Sequence, residues 1–297
     1  MVDQRTGAVL VARNAQKMFD PGSTMKLYSV ATALRLYGPS HRFRTPVYRQ
    51  GEVADGTLAG SLVLVASGDM SMGLRERRTG TFHYETLPKV DHSYANIGLP
   101  GAVEPPGNPL KALNELARKV RASGITAVAG DVIIDDRLFA SYDGFPDGLI
   151  SSIWVNENLV DLQVRPGGLG GPASIRPRPA TASYTVVNRV PTVARGRPTP
   201  LPVAEPPPGT LLVTGRFAAG SPPTLRGWEI DDPAAFARTA FIEALQRAGV
   251  TVAATATGPN PVALLPPKGS YAATDLLGRH VSGKLSEFAK LILKVSY

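Results

Sequence analysis

Apolar residues recur at helical spacing in four stretches of the chain. Leu27, Val30, Ala31 and Leu34 fall at i, i+3, i+4 and i+7, which predicts one buried helix face. Pro21-Gly22 forces a turn before it, Ser23 starts it, and Gly38-Pro39 ends it. Leu110, Leu113, Leu116, Ala117 and Val120 predict a second helix, opened by Asn108-Pro109 and stopped by Gly124. A third is capped by Asp232-Pro233, carries Phe236, Phe241, Ala244 and Leu245 inward, and stops at Gly249. The fourth stripe is Leu285, Phe288, Ala289, Ile292 and Leu293, with Lys290 and Lys294 suited to a helix C-terminus. Short β-type runs lie between them: Ser61–Val65, Val132–Ile134, a stretch through Leu159, Leu162 and Val164, Thr210–Phe217 and Val250–Thr257. At the start, Val2 to Thr6-Gly7 and Ala8–Val11 read as strand, turn and return strand.

The stretches between these elements are rich in glycine and proline. Residues 71–108 are polar and carry no clear period, and Pro198–Gly209 reads as an exposed connection. Gly167–Gly171 lacks the Gly-Lys-Ser/Thr ending of a phosphate loop. No internal repeat of fixed period is present. The expected class is mixed α/β, of α+β character, with many short strands and few helices between residues 44 and 265.

Composition narrows the function classes. The chain has 297 residues, 43% hydrophobic and 19% charged, a folded profile that divides into two or three domains at roughly 100–200 residues each. It contains no cysteine, which excludes disulfides, thiolate zinc sites and cysteine nucleophiles. No apolar run reaches the roughly 18–20 residues of a membrane-spanning helix, and no basic segment followed by an apolar one marks a signal peptide. The net charge of +8 is compatible with nucleic acid, an anionic envelope polymer or an acidic substrate. A nucleic-acid role lacks any recognisable motif, stacking pattern or basic stripe. His41, His83, His92 and His280 show no metal-ligand spacing and are expected on loops or the surface. Arg75, Arg77 and Arg78 read as a solvated basic loop or a contact for an anionic polymer, and Asp135-Asp136 as turn chemistry after a strand.

The sharpest local signal is Phe19-Asp20-Pro21-Gly22-Ser23-Thr24-Met25-Lys26-Leu27-Tyr28. Lys26 follows Ser23 by one helical turn, so the two side chains share a face. A hydroxyl at a helix N-terminus sees free backbone N–H groups and the positive end of the dipole, which favour a developing oxyanion. A lysine amine beside it can take the hydroxyl proton. On spacing alone, a serine at a helix start is more often only a cap.

Asp3-x-x-Thr6-Gly7, Phe19-x-Pro21-x-Ser23-x-x-Lys26-Leu27 and a helix closing on Leu36-Tyr37-Gly38-Pro39 resemble the low-molecular-mass class C penicillin-binding proteins. These are the D-alanyl-D-alanine carboxypeptidase/endopeptidase family of cell-wall enzymes. Phe43-x-Thr45 before Gly60-Ser61-Leu62, Gly130–Asp135 with Phe139, and Val155-Asn156-Glu157-Asn158 with Asp161-Leu162 continue the likeness in order. His280-Val281-Ser282, Leu285-Ser286-Glu287 and Lys294-Val295-Ser296-Tyr297 complete it. Of the three motifs of the wider group, Ser-x-x-Lys matches Ser23 and Lys26, and the start of Ser-x-Asn matches Ser296-Tyr297. Lys-Thr-Gly is missing downstream, and Arg5-Thr6-Gly7 and Arg78-Thr79-Gly80 read as turns.

The resemblance implies a serine β-lactamase/D,D-peptidase, transpeptidase-like catalytic domain that is discontinuous and incomplete. Its pieces would be residues 1–43 and 266–297, around a mostly-β insertion at 44–265. The insertion would divide into a β-rich domain (44–70 plus 137–265) and a small α/β domain (71–136). Implied too are Ser23 as nucleophile, Lys26 as base and Ser296 as proton relay to the leaving amine, with no cofactor and no metal. The implied partners are peptidoglycan D-Ala-D-Ala stem peptides and β-lactam antibiotics, in the cell envelope, extracytoplasmic or periplasmic. The competing reading is a non-catalytic envelope protein that binds wall peptides or polymer.

Overall fold

The computed structural model describes residues 1–86, 88–144, 148–196 and 200–296. Two expected features touch residues outside these ranges: Tyr297 of the Ser296-Tyr297 match, and Pro198 at the head of the proline run. Four α-helices form where the stripes predict them: α1 (Met25–Tyr37), α2 (Lys111–Ala122), α3 (Pro233–Arg247) and α4 (Leu285–Val295).

Helices α2 and α3 show why those predictions hold. Asn108 Oδ1 accepts the Leu110 N–H at 2.9 Å, and Gly124 (φ +91°) turns the chain away after α2. Asp232 accepts the Ala235 N–H at 2.9 Å and Pro233 follows it at the first turn of α3. The two helices pack on each other, α2 also on the strand Leu276–Val281 and α3 on the strand Val132–Asp135. Leu113, Leu116, Val120, Phe241 and Leu245 are all buried there with Leu58, Leu62 and Leu64. Replacing Asp232 with alanine should cost about 1 kcal/mol of stability, read as a lower urea midpoint. An unchanged midpoint would show that the cap contributes nothing.

The sheet beneath them is built on the hairpin of β1 (Arg44–Ala54) and β2 (Thr57–Val65). The strand Leu276–Val281 adds antiparallel to β1; Ala127–Val128 and Val132–Asp135 add parallel to β2; Thr251–Val252 closes the edge. Between the two parallel partners of β2, Gly130 lies so close that a Cβ there would sit 2.6 Å from the Gly60 carbonyl oxygen. Strands from all parts of the expected 44–70, 71–136 and 137–265 division, and one from beyond residue 266, therefore share this sheet. Parallel partners need long crossovers, so sheet membership is not a property of neighbouring sequence.

The chain between residues 149 and 229 is β-rich. Leu159–Arg165 is the centre of a three-stranded antiparallel sheet, flanked by Ser174–Arg178 and Thr224–Glu229, and smaller sheets follow. Two expected strands are shorter than predicted. Thr210–Phe217 breaks into Thr210–Val213 and Phe217–Ala218, and Val250–Thr257 keeps only Thr251–Val252. The N-terminal hairpin reduces to one bridge, Val2 to Val9, with Leu10 and Val11 exposed; a lone hairpin with no layer to pack on gains little.

α1 differs from its prediction in burial. Val30 is buried and Leu34 half-buried, but Leu27 is 58% exposed and Ala31 is exposed too. Its inner side meets α4, where Leu285, Phe288 and Leu291 cluster with Phe82, Ala33, Leu34, Phe43 and Met70. Phe43 and Phe82 both approach Phe288 edge-on, at 5.4 and 4.8 Å between ring centres. The first N–H groups of α4 reach back to the turn that ends α1: Leu285 N donates to His41 O at 2.8 Å and Ser286 N to Pro39 O at 3.1 Å. These contacts fix the start of α4 relative to the end of α1.

Candidate active site

Asp20, Pro21 and Gly22 set up the start of α1. Asp20 Oδ1 accepts the Gly22 N–H at 2.9 Å, Gly22 sits at φ +49°, and Gly22–Thr24 form a single 3-10 turn into the helix. Ser23 lies in that turn with its side chain exposed, and Lys26 lies one turn on, half-buried. Lys26 Nζ is 3.4 Å from Ser23 Oγ. The same amine reaches Ser296, 2.5 Å from its Oγ and 3.3 Å from its carbonyl oxygen.

Ser296 comes from the far end of the chain. It caps α4 in a left-handed conformation (φ +61°, ψ +39°), which is uncommon for a non-glycine residue. The packing of α4 on α1 is what carries it to Lys26. All three residues singled out in the sequence therefore converge on one amine, with a hydroxyl on either side of it. A primary amine between two hydroxyls can accept a proton from one and pass a proton to the other.

The neighbourhood holds residues that sequence reasoning missed. Tyr94 donates its phenol O–H to the Ser296 carbonyl at 3.2 Å. Behind Tyr94 lies a buried ionic cluster. Arg75 is fully buried and donates to both Asp91 oxygens at 2.8 Å and to both Glu157 oxygens at 2.5 and 2.8 Å. His92 is equally buried, with Nδ1 3.0 Å from Asp161 and Nε2 hydrogen-bonded to Glu157. Burial alone would lower the His92 pKa, but the Asp161 carboxylate and then the Glu157 carboxylate outweigh it and raise the group to about 10. Burial likewise works to raise Glu157, and Arg75 and then His92 pull it down to about 2.

These contacts correct two expectations. Arg75 is not part of a solvated loop, although Arg77 and Arg78 are exposed. His92 and His280 are not surface histidines: each is buried because carboxylates surround it. His280 places Nδ1 2.8 Å from Glu115 and Nε2 3.5 Å from Asp69, in the loop that presents Met70 to the α1–α4 contact. Its hydrogen bond is the main reason Glu115 sits near 2. Asp135 behaves as expected of turn chemistry, held by the backbone and guanidinium of Arg137 and by Tyr271. Asp91, His92 and Glu157 lie close enough to share a metal ion, but Arg75 and protonated His92 already supply the positive charge there.

Two cavities flank Ser296. One of ≈ 240 Å³ runs past Tyr94, Trp154 and Ile150, and another of ≈ 530 Å³ runs past Tyr94, Lys89 and Lys294. Between α1 and α4 an apolar cleft of ≈ 260 Å³ ends at Lys26. Among the described residues no helix is long and apolar enough to cross a membrane.

Comparison with known proteins gives the arrangement its lineage. A D-alanyl-D-alanine carboxypeptidase from Actinomadura sp. (strain R39) is 28% identical over 320 residues, covering 100% of this chain and 51% of that protein. The fold matches penicillin binding protein 4 from Haemophilus influenzae, solved alone (TM-score 0.63, 16% identity) and complexed with a novel β-lactam (TM-score 0.62, 18% identity). Both matches cover 98% of this chain and 57% and 56% of those chains, so it spans about half the length of the proteins it resembles. The likeness establishes the mixed α/β fold, with several sheets and few helices, expected from the sequence. The family model for D-Ala-D-Ala carboxypeptidase 3 (S13) matches residues 1–296, from the N-terminal turn to the serine that caps α4, and the chain belongs to that family.

Proposed function

We propose that this protein is a serine-type D-alanyl-D-alanine carboxypeptidase/endopeptidase that works through an acyl-enzyme on Ser23. The observation that carries the reading is the convergence of Ser23 Oγ and Ser296 Oγ on the Lys26 amine, 3.4 and 2.5 Å away. Ser23 attacks the carbonyl of the terminal D-Ala-D-Ala bond, or of a D-alanyl cross-link, in a peptidoglycan stem peptide. Lys26 takes the hydroxyl proton as the new C–O bond forms. Ser296 passes a proton from Lys26 to the departing amine, and water then releases the acyl group and restores Ser23. β-Lactam antibiotics acylate the same hydroxyl. No step calls for a cofactor.

The catalytic unit in this reading is split between residues 1–43 and 266–297, with α1 and α4 as its two halves and 44–265 as the insertion. Its substrates place it in the cell envelope, outside the cytoplasm. Intact mass after incubation with a penicillin tests the reading. One drug mass should add to the protein, and digestion should place it on the peptide containing Ser23. A folded protein that takes no adduct would instead support an envelope protein that binds wall peptides without cleaving them.

A further inference from the structure

Ser296 holds an unusual position that neither α4 nor Lys26 alone accounts for. Its backbone is left-handed, and its carbonyl is an acceptor that the end of a helix leaves without an intrahelical donor. Two donors meet that carbonyl, the Lys26 amine at 3.3 Å and the Tyr94 phenol at 3.2 Å. Rotating the Ser296 carbonyl away would break both bonds and swing Oγ off the amine.

Tyr94 is mounted to resist such a rotation. It ends the 3-10 turn His92–Tyr94, in which the Asp91 carboxylate accepts the Ser93 N–H at 3.2 Å. Asp91 is gripped in turn by both terminal nitrogens of Arg75, and His92 is clamped between Asp161 and Glu157. The buried charges therefore form a rigid base, with the Tyr94 hydroxyl projecting from it to the edge of the site. Tyr94 also lines both cavities that open beside Ser296.

We propose that Tyr94 is a positioning residue for acylation: its hydroxyl holds the Ser296 carbonyl and so keeps the Ser296 side chain aimed at Lys26. The inference rests on the serine-peptidase reading above. The Tyr94 hydroxyl touches a backbone oxygen and none of the reacting atoms, so losing it while keeping the ring that lines the cavities lowers the rate of the chemical step and leaves the holding of the ligand unchanged.

The test is the concentration dependence of acylation by a fluorescent penicillin in wild type and Tyr94→Phe, which removes the O–H and keeps the ring. The limiting acylation rate should fall roughly 3–10-fold, the loss of one hydrogen bond, with the half-saturating concentration and the final labelled fraction unchanged. A merely structural role would lower the labelled fraction and the urea midpoint and leave the rate constant alone. Tyr94→Phe acylating at the wild-type rate overturns the inference and leaves the role of Ser23 standing. Wild type that takes no label at Ser23 overturns the serine-peptidase reading, and this inference with it.

Discussion

Ser23→Ala should take no penicillin adduct at all, and Lys26→Ala should form it about 10²–10⁴-fold more slowly than wild type. The first follows from the chemistry, since alanine has no atom with which to make the ester. The second follows from geometry: a hydroxyl is a weak nucleophile until a base removes its proton. Lys26 is the amine within reach, 3.4 Å from Ser23 Oγ. Lys26→Arg separates base from charge, because a guanidinium keeps its proton and cannot serve as the base. It should be as slow as Lys26→Ala. The measurement is the rate of mass gain at fixed drug concentration. Lys26→Arg acylating near the wild-type rate would show that Lys26 acts only as a positive charge, and adduct on Ser23→Ala would place the nucleophile elsewhere.

How much of this was legible beforehand depended on how local each feature is. α2 and α3 were readable to within a residue or two because stripe, cap and stop all lie within one short stretch. The Ser23–Lys26 pairing was equally local. Its contact with Ser296, 270 positions away, was not in the spacing of any motif and entered only through resemblance to a family. The exposed Leu27 and Ala31 show the limit of periodicity: a stripe says that a face is apolar, while burial also needs a partner layer. The buried cluster was missed for a different reason. Charged residues are read as exposed by default, and Arg75 and His92 sit in a polar stretch that gave no contrary sign. The available sign was on the other partner, where Asp161 interrupts the apolar run Leu159-Val160-Asp161-Leu162. Tyr94 carried no signal at all, because its role depends on where α4 ends.

That cluster supplies the largest expected effect on stability. Glu157→Gln should destabilise the protein by about 3–5 kcal/mol, because removing one partner of a buried charge pair leaves the others uncompensated. Arg75 would lose a carboxylate that accepts two of its hydrogen bonds, and His92 would lose one of its two partners. The backbone adds to the sensitivity. Asn156, Glu157 and Asn158 are consecutive left-handed residues at φ +52°, +58° and +56°, a conformation that costs of order 1 kcal/mol or more per residue and persists only where the surroundings over-determine it. The pH dependence separates this account from simple loss of packing. Glu157 is held at about 2 in the folded protein, below its usual value near 4.5. Its contribution is full above pH 4.5 and is lost as pH falls through 2. His92, raised from 6.5 to about 10, contributes fully below pH 6.5 and loses that contribution as pH rises through 10. Urea midpoints of wild type should therefore fall away on both sides, and Glu157→Gln should make the acid limb shallower, leaving the part that Glu115 contributes, and shorten the alkaline one. Trp154 and Trp228 flank the cluster in sequence and strand pairing and give the fluorescence signal. If Glu157→Gln were destabilised equally at every pH, the ionic account would be wrong and the site would matter only for shape.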